Sequence, residues 1–264
     1  NTYTDTNHNY YINNPEWYIN NDSLLNNFFI QNLDYTNTDF INQISSDLSF
    51  LINDYSLDGF SIMDHNHLSN FKRRMEQIQS NSILQIIESD RSPMPVISSN
   101  KSHYNSYHNT GLYEFSREHF SGQNINFIHL NNLINESLDH HKPVNLIINP
   151  TSIESDRRFI TLTKDQHDFK SGLITNKIIY DRLAMFTLMN YSLPGIPFIF
   201  YGEEFGHQGS YHQDSKRDMK FHESLDNLEK DLKQRVSALA RIRDKYPSLS
   251  IGDFMVLRDG VDYT

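Results

Sequence analysis

The stretch TDFINQISSDLSFLINDYSLDGFSIM, residues 38–63, decides the fold class. Its first part sets Phe40, Ile41, Ile44, Leu48, Leu51 and Ile52 on one helical face, with Thr38 as the expected N-cap. Its last part, DGFSIM, is a short apolar strand. A helix that hands on to an apolar strand is the working piece of a parallel α/β fold.

The same alternation recurs outward from this stretch. HLSNFKRRMEQIQ (67–79) reads as a polar-faced helix leading into SILQIIES (82–89), a near-continuous apolar run of the kind found in parallel strands covered on both faces. PVNLIIN (143–149) is a strand, TNKIIYDRLAMFTLMNYS (175–192) a helix and GIPFIFYG (195–202) a further strand. The chain closes with the amphipathic helix LDNLEKDLKQRVSALARIRDKY (225–246) and a strand-like GDFMVL (252–257). Residues 1–37 read as a long loop with one short helix, and 99–125 as the least regular interior segment. No repeat of fixed period and no clear linker divides the chain, so the expectation is α/β with a parallel sheet.

Composition narrows the function classes. The 264 residues suffice for one large domain or two small ones, and a 37% hydrophobic fraction with 12% aromatics can build a core. A formal net charge of -10 disfavours a nucleic-acid partner, which needs clustered Lys and Arg. Apolar runs such as GIPFIFY are far shorter than the ~20 residues of a membrane helix, so no membrane partner is expected. Residue 1 is Asn, and the expectation is a chain that begins inside a longer product or after processing. With no cysteine, disulfides and zinc–thiolate sites are excluded; the compartment is left open, the cytoplasm being favoured.

Parallel α/β barrels carry their chemistry at the C-terminal ends of strands. Four such ends are readable here: Met63–Asp64, Glu88, Asn149–Thr151 and Gly202–Glu204. Each sets polar or charged groups directly after an apolar run. Any one of them can be a strand that simply ends where it meets water; four together weaken that reading.

These residues carry a resemblance. DGFSIMDHNH (58–67) resembles the D-G-F-R-x-D segment of the α-amylase family (glycoside hydrolase family 13). GIPFIFYGEEFGHQGSYHQDSKRDMKFHE (195–223) is similar to that family's G-x-P-x-I-Y-Y-G-D-E segment and the D-P-D-x-R-x-x-M-x-W-D-E that follows it in neopullulanase and cyclomaltodextrinase-type members. VSALARIRDKYPSLSIGDFMVL (236–257) resembles the last barrel helix running into a C-terminal β-domain, and NTYTDTNHNYYINNPEWY (1–18) the loop after the third strand. The segments occur in family order at roughly family spacing, most weakly between 91 and 142. The resemblance implies a partial (β/α)8 TIM barrel at 1–248, from the end of the third strand through the eighth βα unit, with the start of a C-terminal β-domain at 249–264. It implies an α-glucan or maltooligosaccharide as ligand and no cofactor.

The resemblance also implies a damaged site. Retaining glycoside hydrolysis needs two carboxylates about 5–5.5 Å apart, one acid and one nucleophile. The general acid falls on Glu88 and is kept. The nucleophile falls on Met63, whose thioether carries no charge, and its arginine partner falls on Ser61. In the third segment Asn149 is kept, a His becomes Pro150, and the third carboxylate becomes Thr151. The first-segment His falls on Thr2. Asp64 cannot stand in for Met63 without a bulge, because successive side chains on a strand point to opposite faces. The expectation is an α-glycosidase-like protein without useful hydrolysis; an active hydrolase with these residues re-registered, or a non-enzymatic carbohydrate-binding or partner protein, are the alternatives.

Other polar clusters weigh less. Asp64, His65 and His67 are competent metal ligands, but no second cluster at ligand spacing joins them, and no metal is expected. His140 and His141 suit a helix C-terminus. Glu203 and Glu204 read equally as a loop acidic pair or as a site. Tyr201, Trp17 and Tyr18 could stack on sugar rings, with packing the more common use of each.

A barrel that starts at its third strand leaves open sheet edges, which a missing N-terminal portion or a second copy would have to close. The chain by itself is therefore expected to unfold broadly or to aggregate in scanning calorimetry. A sharp cooperative transition of the monomer would contradict this.

Overall fold

The computed structural model describes residues 3–5, 7, 9–19, 30–57, 59–62, 84–87, 106–122, 126–140, 146–153, 156–166, 174–211, 214, 216–255 and 257. The chain divides into two compact units, residues 1–89 with 99–105, and residues 90–98 with 106–264.

In the first unit, β1 (Tyr3–Asp5) and β2 (Tyr18–Ile19) flank β3 (Ile30–Leu33) in an antiparallel sheet, with Thr4 opposite Gln31 and Tyr18 opposite Leu33. The expected loop over 1–37 is thus corrected: it holds a small sheet, the short helix α1 (Asn9–Asn13) and a single 3-10 turn at Pro15–Trp17. Strands of two to four residues are too short to show a period of two, which is why the segment looked irregular.

Helix α2 spans Thr38–Tyr55, but its cap is Asn37 rather than Thr38. The Asn37 side chain accepts from the backbone N–H groups of Asp39 (3.0 Å) and Phe40 (3.1 Å), and its Nδ2 donates to the Glu16 carbonyl at 3.0 Å. One side chain therefore starts the helix and fastens it to the preceding turn. Phe40 and Ile41 are buried, and Trp17, Leu33, Tyr35 and Phe60 pack against them. The helix ends at Ser56 in the left-handed region (φ 53, ψ 46), and β4 (Gly59–Ile62) follows, parallel to β5 (Leu84–Ile87). The helix proposed over 67–79 lies outside the described residues.

The second unit is built on the parallel strands β6 (Ser106–His108), β7 (Leu146–Pro150) and β8 (Ile196–Phe198), with β7 between the other two. After β6 come α3 (Thr110–Ser121) and α4 (Phe127–His140), and after β7 come α5 (Phe159–Gln166) and α6 (Asn176–Ser192). Following β8, α7 (Asn227–Lys245) and the short α8 (Ser248–Ile251) complete the described elements. Segment 99–125 is corrected: it contains β6 and α3. β6 is wholly buried, and the buried side of α3 mixes Ser116, Arg117 and His119 with Leu112, Tyr113 and Phe120, so polar residues interrupt the apolar pattern of both. Asp253–Met255, within the expected last strand, are irregular.

The core of this unit gathers Phe159, Ile160, Ile179, Leu183, Phe186 and Leu232 from α5, α6 and α7. Helix α7 opens with a reciprocal cap: Asp226 accepts from the Glu229 N–H, and Glu229 Oε2 accepts from the Asp226 N–H, both at 2.9 Å. Near its other end, the buried Arg243 donates to the carbonyls of Tyr191 (2.7 Å), Leu193 (3.0 Å) and Leu249 (2.7 Å), and also to that of Gly195. It thereby satisfies carbonyls that the end of α6 and the entry to β8 leave open.

Ser56 gives a direct test of the α2 boundary. A left-handed residue with a Cβ is strained by roughly 1–2 kcal/mol relative to glycine. Ser56→Gly is expected to raise stability by about 1 kcal/mol in urea unfolding, and Ser56→Val to lower it.

Candidate functional site

The strand ends of the second unit are closed by two loops that grip each other. Immediately after β7, the Thr151 N–H donates to the Phe198 carbonyl at 3.0 Å, and its Oγ1 lies 3.5 Å from the same oxygen. The Arg158 N–H donates to the Gly209 carbonyl at 2.9 Å, and the Gly209 N–H returns to Thr161 Oγ1 at 2.9 Å. Lys164 Nζ adds a bond to Gln208 Oε1 at 3.0 Å. These bonds tie α5 and the residue before it to Gln208 and Gly209.

Arg158 is the centre of this arrangement. Its side chain has 0% exposure and its Nη1 stands 3.4 Å from Glu203 Oε2, itself 1% exposed. The guanidinium lies over the rings of Phe200 (4.2 Å) and Tyr201 (4.8 Å), so aromatic faces supply part of the solvation that water does not. Gly202, at φ 83, makes the turn that brings Glu203 back under it; a Cβ there would meet His207 Cβ at 2.8 Å.

Burial pushes the Glu203 carboxyl up to about 7, against the pull of the Arg158 and Arg117 guanidinium groups. His207 beside it is held below the usual histidine range, first by burial and then by the nearby cations, although a bond to the Arg217 carbonyl opposes this. A carbonyl only accepts, so the 3.4 Å contact to Arg217 assigns the proton to Nε2.

The residues singled out from sequence fall as follows. Thr151 is 1% exposed and brings a hydroxyl, with no charge, to the end of β7. Asn149 is buried, and its Nδ2 donates to the Pro194 carbonyl at 3.1 Å. Tyr201 is 37% exposed, with its hydroxyl on the Arg217 carbonyl at 3.2 Å. Ser61 sits on β4 opposite Ile86. Met63 and Glu88 lie outside the described residues, as do Thr2, Asp64, His65, His67 and His141. Trp17 packs against Phe40 at 5.8 Å between ring centroids, and Tyr18 is buried against Tyr11 at 5.1 Å. Of the acidic pair, Glu203 is sealed in its ion pair while Glu204 is half-buried. Arg158 was missed from sequence; the signal was an arginine in DRRF, a few residues past a strand end that already carried polar groups.

Among the described residues, no three His, Asp or Glu side chains come together to hold a metal ion, and no helix is long and apolar enough to cross a membrane.

Solved structures place this architecture. An Anoxybacillus α-amylase superposes with a TM-score of 0.79 at 21% identity, covering 98% of this chain and 58% of its own. The α-amylase of Geobacillus thermoleovorans, solved with acarbose, gives 0.78 at 16%, covering 98% and 59%. The cyclic α-maltosyl-(1→6)-maltose hydrolase of Arthrobacter globiformis, solved with its cyclic substrate, gives 0.71 at 14%, covering 94% and 58%. The fold is that of the α-amylases, and the chain spans a little under three fifths of the length of these proteins. No family model and no curated protein matches the sequence.

The Glu203 carboxyl makes stability pH-dependent. Its folded value, about 7, lies above the ordinary carboxylate range, so the folded state holds this proton longer than the unfolded chain. The resulting stabilisation is full below about pH 4.3 and is lost as pH rises to 7, by about 3 kcal/mol in all. Glu203→Gln is expected to flatten the fall in unfolding free energy between pH 5 and pH 7.5. An unchanged slope in the variant would remove Glu203 as its source.

Proposed function

We propose that this chain is an α-amylase-type glycosidase relative of α-glucan metabolism that binds maltooligosaccharide and does not hydrolyse it. The observation that carries the reading is the superposition on α-amylases over 98% of the chain. The short motifs of the sequence set Glu88 at the general-acid position, Met63 at the nucleophile position, Ser61 at that of its arginine, and Thr151 at the third carboxylate. The same motifs favour the neopullulanase and cyclomaltodextrinase branch. They also assign 1–248 to the barrel from the end of its third strand onward and 249–264 to the start of a C-terminal β-domain.

The chemistry follows from what these side chains lack. An oxocarbenium-like transition state needs a carboxylate on the face opposite the acid, and a thioether offers neither attack nor negative charge. Glu88 can protonate a leaving oxygen, but Met63 cannot capture the sugar cation that results. Thr151 adds a hydroxyl that leans on the Phe198 carbonyl, with no charge to share. Glu203 is no substitute, because at 2% exposure it is sealed from any ligand. Binding makes fewer demands: hydroxyl-rich rings need donors, acceptors and an aromatic face such as the exposed part of Tyr201. Either the remaining barrel portion or a second copy is the expected protein partner.

The test is turnover beside binding. Purified protein incubated with maltoheptaose and with a cyclodextrin is expected to release no reducing sugar above blank, since losing a nucleophile lowers rates by ~10⁶. Titration calorimetry is expected to detect maltooligosaccharide binding. Measurable hydrolysis that disappears in Glu88→Gln would overturn the reading, and so would the absence of any saccharide binding.

A further inference from the structure

Asn149 stands one residue from the end of β7, at a position where a saccharide contact is the obvious role. Its side chain is otherwise engaged. Ile147 and Asn149 share a face of β7, because alternate residues on a strand point the same way. Both approach Gly195, whose added Cβ would lie 2.5 Å from the Ile147 carbonyl and 3.3 Å from Asn149 Nδ2. The bond from Nδ2 to the Pro194 carbonyl also fixes the amide orientation, since a flipped amide would set two acceptor oxygens against each other. Oδ1 is therefore turned away from Pro194. It is buried, in a residue only 3% exposed, and no group among the described residues donates to it.

A small cavity adjoins this amide. Asn109, Ser137 and Asn149 contribute to its walls together with the apolar side chains of Leu112, Ile134 and Leu193. It offers about 10 Å³ of water-sized space, about the least that one water molecule needs. Two further polar partners are at hand. Asn109 Nδ2 donates to Ser137 Oγ at 2.8 Å, and Ser137 passes its own proton to the Leu133 carbonyl at 2.7 Å. That leaves one amide proton on Asn109 and one lone pair on Ser137. The lining residues include no carboxylate, so a cation would lack a counter-charge.

We propose that one internal water binds here, donating to Asn149 Oδ1 and completing its bonds on the Asn109–Ser137 pair, so that Asn149 fastens β7 to the helix layer and makes no saccharide contact. The water would join three elements, β7, the end of β6 and α4, through neutral groups only. Its exclusion of Asn149 from the ligand rests on the reading that a saccharide binds at the strand ends.

Crystals of the full chain, free and soaked with maltotriose, decide the matter. The expected result is one ordered water within hydrogen-bond distance of Asn149 Oδ1, unchanged by the soak. Absence of that water, or a saccharide hydroxyl bonded to Asn149, would overturn the inference. Crystals that bind no saccharide anywhere would count against the proposed function, while the water would still decide this inference. In solution, Asn149→Leu is expected to lower the melting midpoint by about 2–8 °C, and a variant that melts like the parent would also overturn it.

Discussion

A guanidinium withdrawn completely from water constrains everything around it. Arg158 cannot be buried unless its charge is answered, and the answer comes from the next strand: the Glu203 carboxyl and the rings of Phe200 and Tyr201. Those three residues follow β8, whereas Arg158 follows β7. Satisfying one side chain thus requires both strands in register, the glycine turn at Gly202 and the loop reaching Gly209. A hydrophobic contact tolerates small shifts, but a buried charge does not, because losing its partner strands it in a medium of low polarity.

The same logic runs through the rest of the second unit, with amides in place of charges. Asn190 donates to the Pro150 carbonyl at 3.0 Å, Asn149 to Pro194, and Asn109 to Ser137. The first two join β7 to α6 and to the segment after it, and the third joins the start of α3 to α4. Arg182 caps the end of α3 through the carbonyls of Ser121 and Gly122, much as Arg243 serves α6. Asparagine is abundant in this sequence, and part of that abundance is structural rather than incidental. Where an apolar side chain would merely fill space, Asn149 and Asn190 satisfy backbone carbonyls that strand and helix ends leave open.

How far the sequence could be read depended on what kind of force shaped each part. Alternating helices and strands were legible wherever an apolar face did the packing, as in α2 with Phe40 and Ile41 or α6 with Ile179, Leu183 and Phe186. Where polar side chains shared the buried face, they interrupted the apolar pattern. β6 is Ser-Tyr-His and wholly buried, and α3 hides Ser116, Arg117 and His119. The cap of α2 was misplaced by one residue because Thr38 and Asn37 are both good caps, and only the reach of Asn37 to Glu16 separates them. At the strand ends, Thr151 could be located from its position after an apolar run. The pairing of Arg158 with Glu203 spans 45 residues, and no local pattern could announce it.

The Arg243 bonds also carry a consequence in time. The carbonyl of Gly195, at the entry to β8, waits for a donor 48 residues further along the chain. A ribosome adds roughly 5–20 residues per second, so β8 exists for some 2–10 s before its fastening can form. During that interval the end of α6 and the start of β8 carry open carbonyls, and the core contacts of Leu232 are also still to come. A chain stalled before residue 243 would therefore lack the cation that these carbonyls bind in the folded unit.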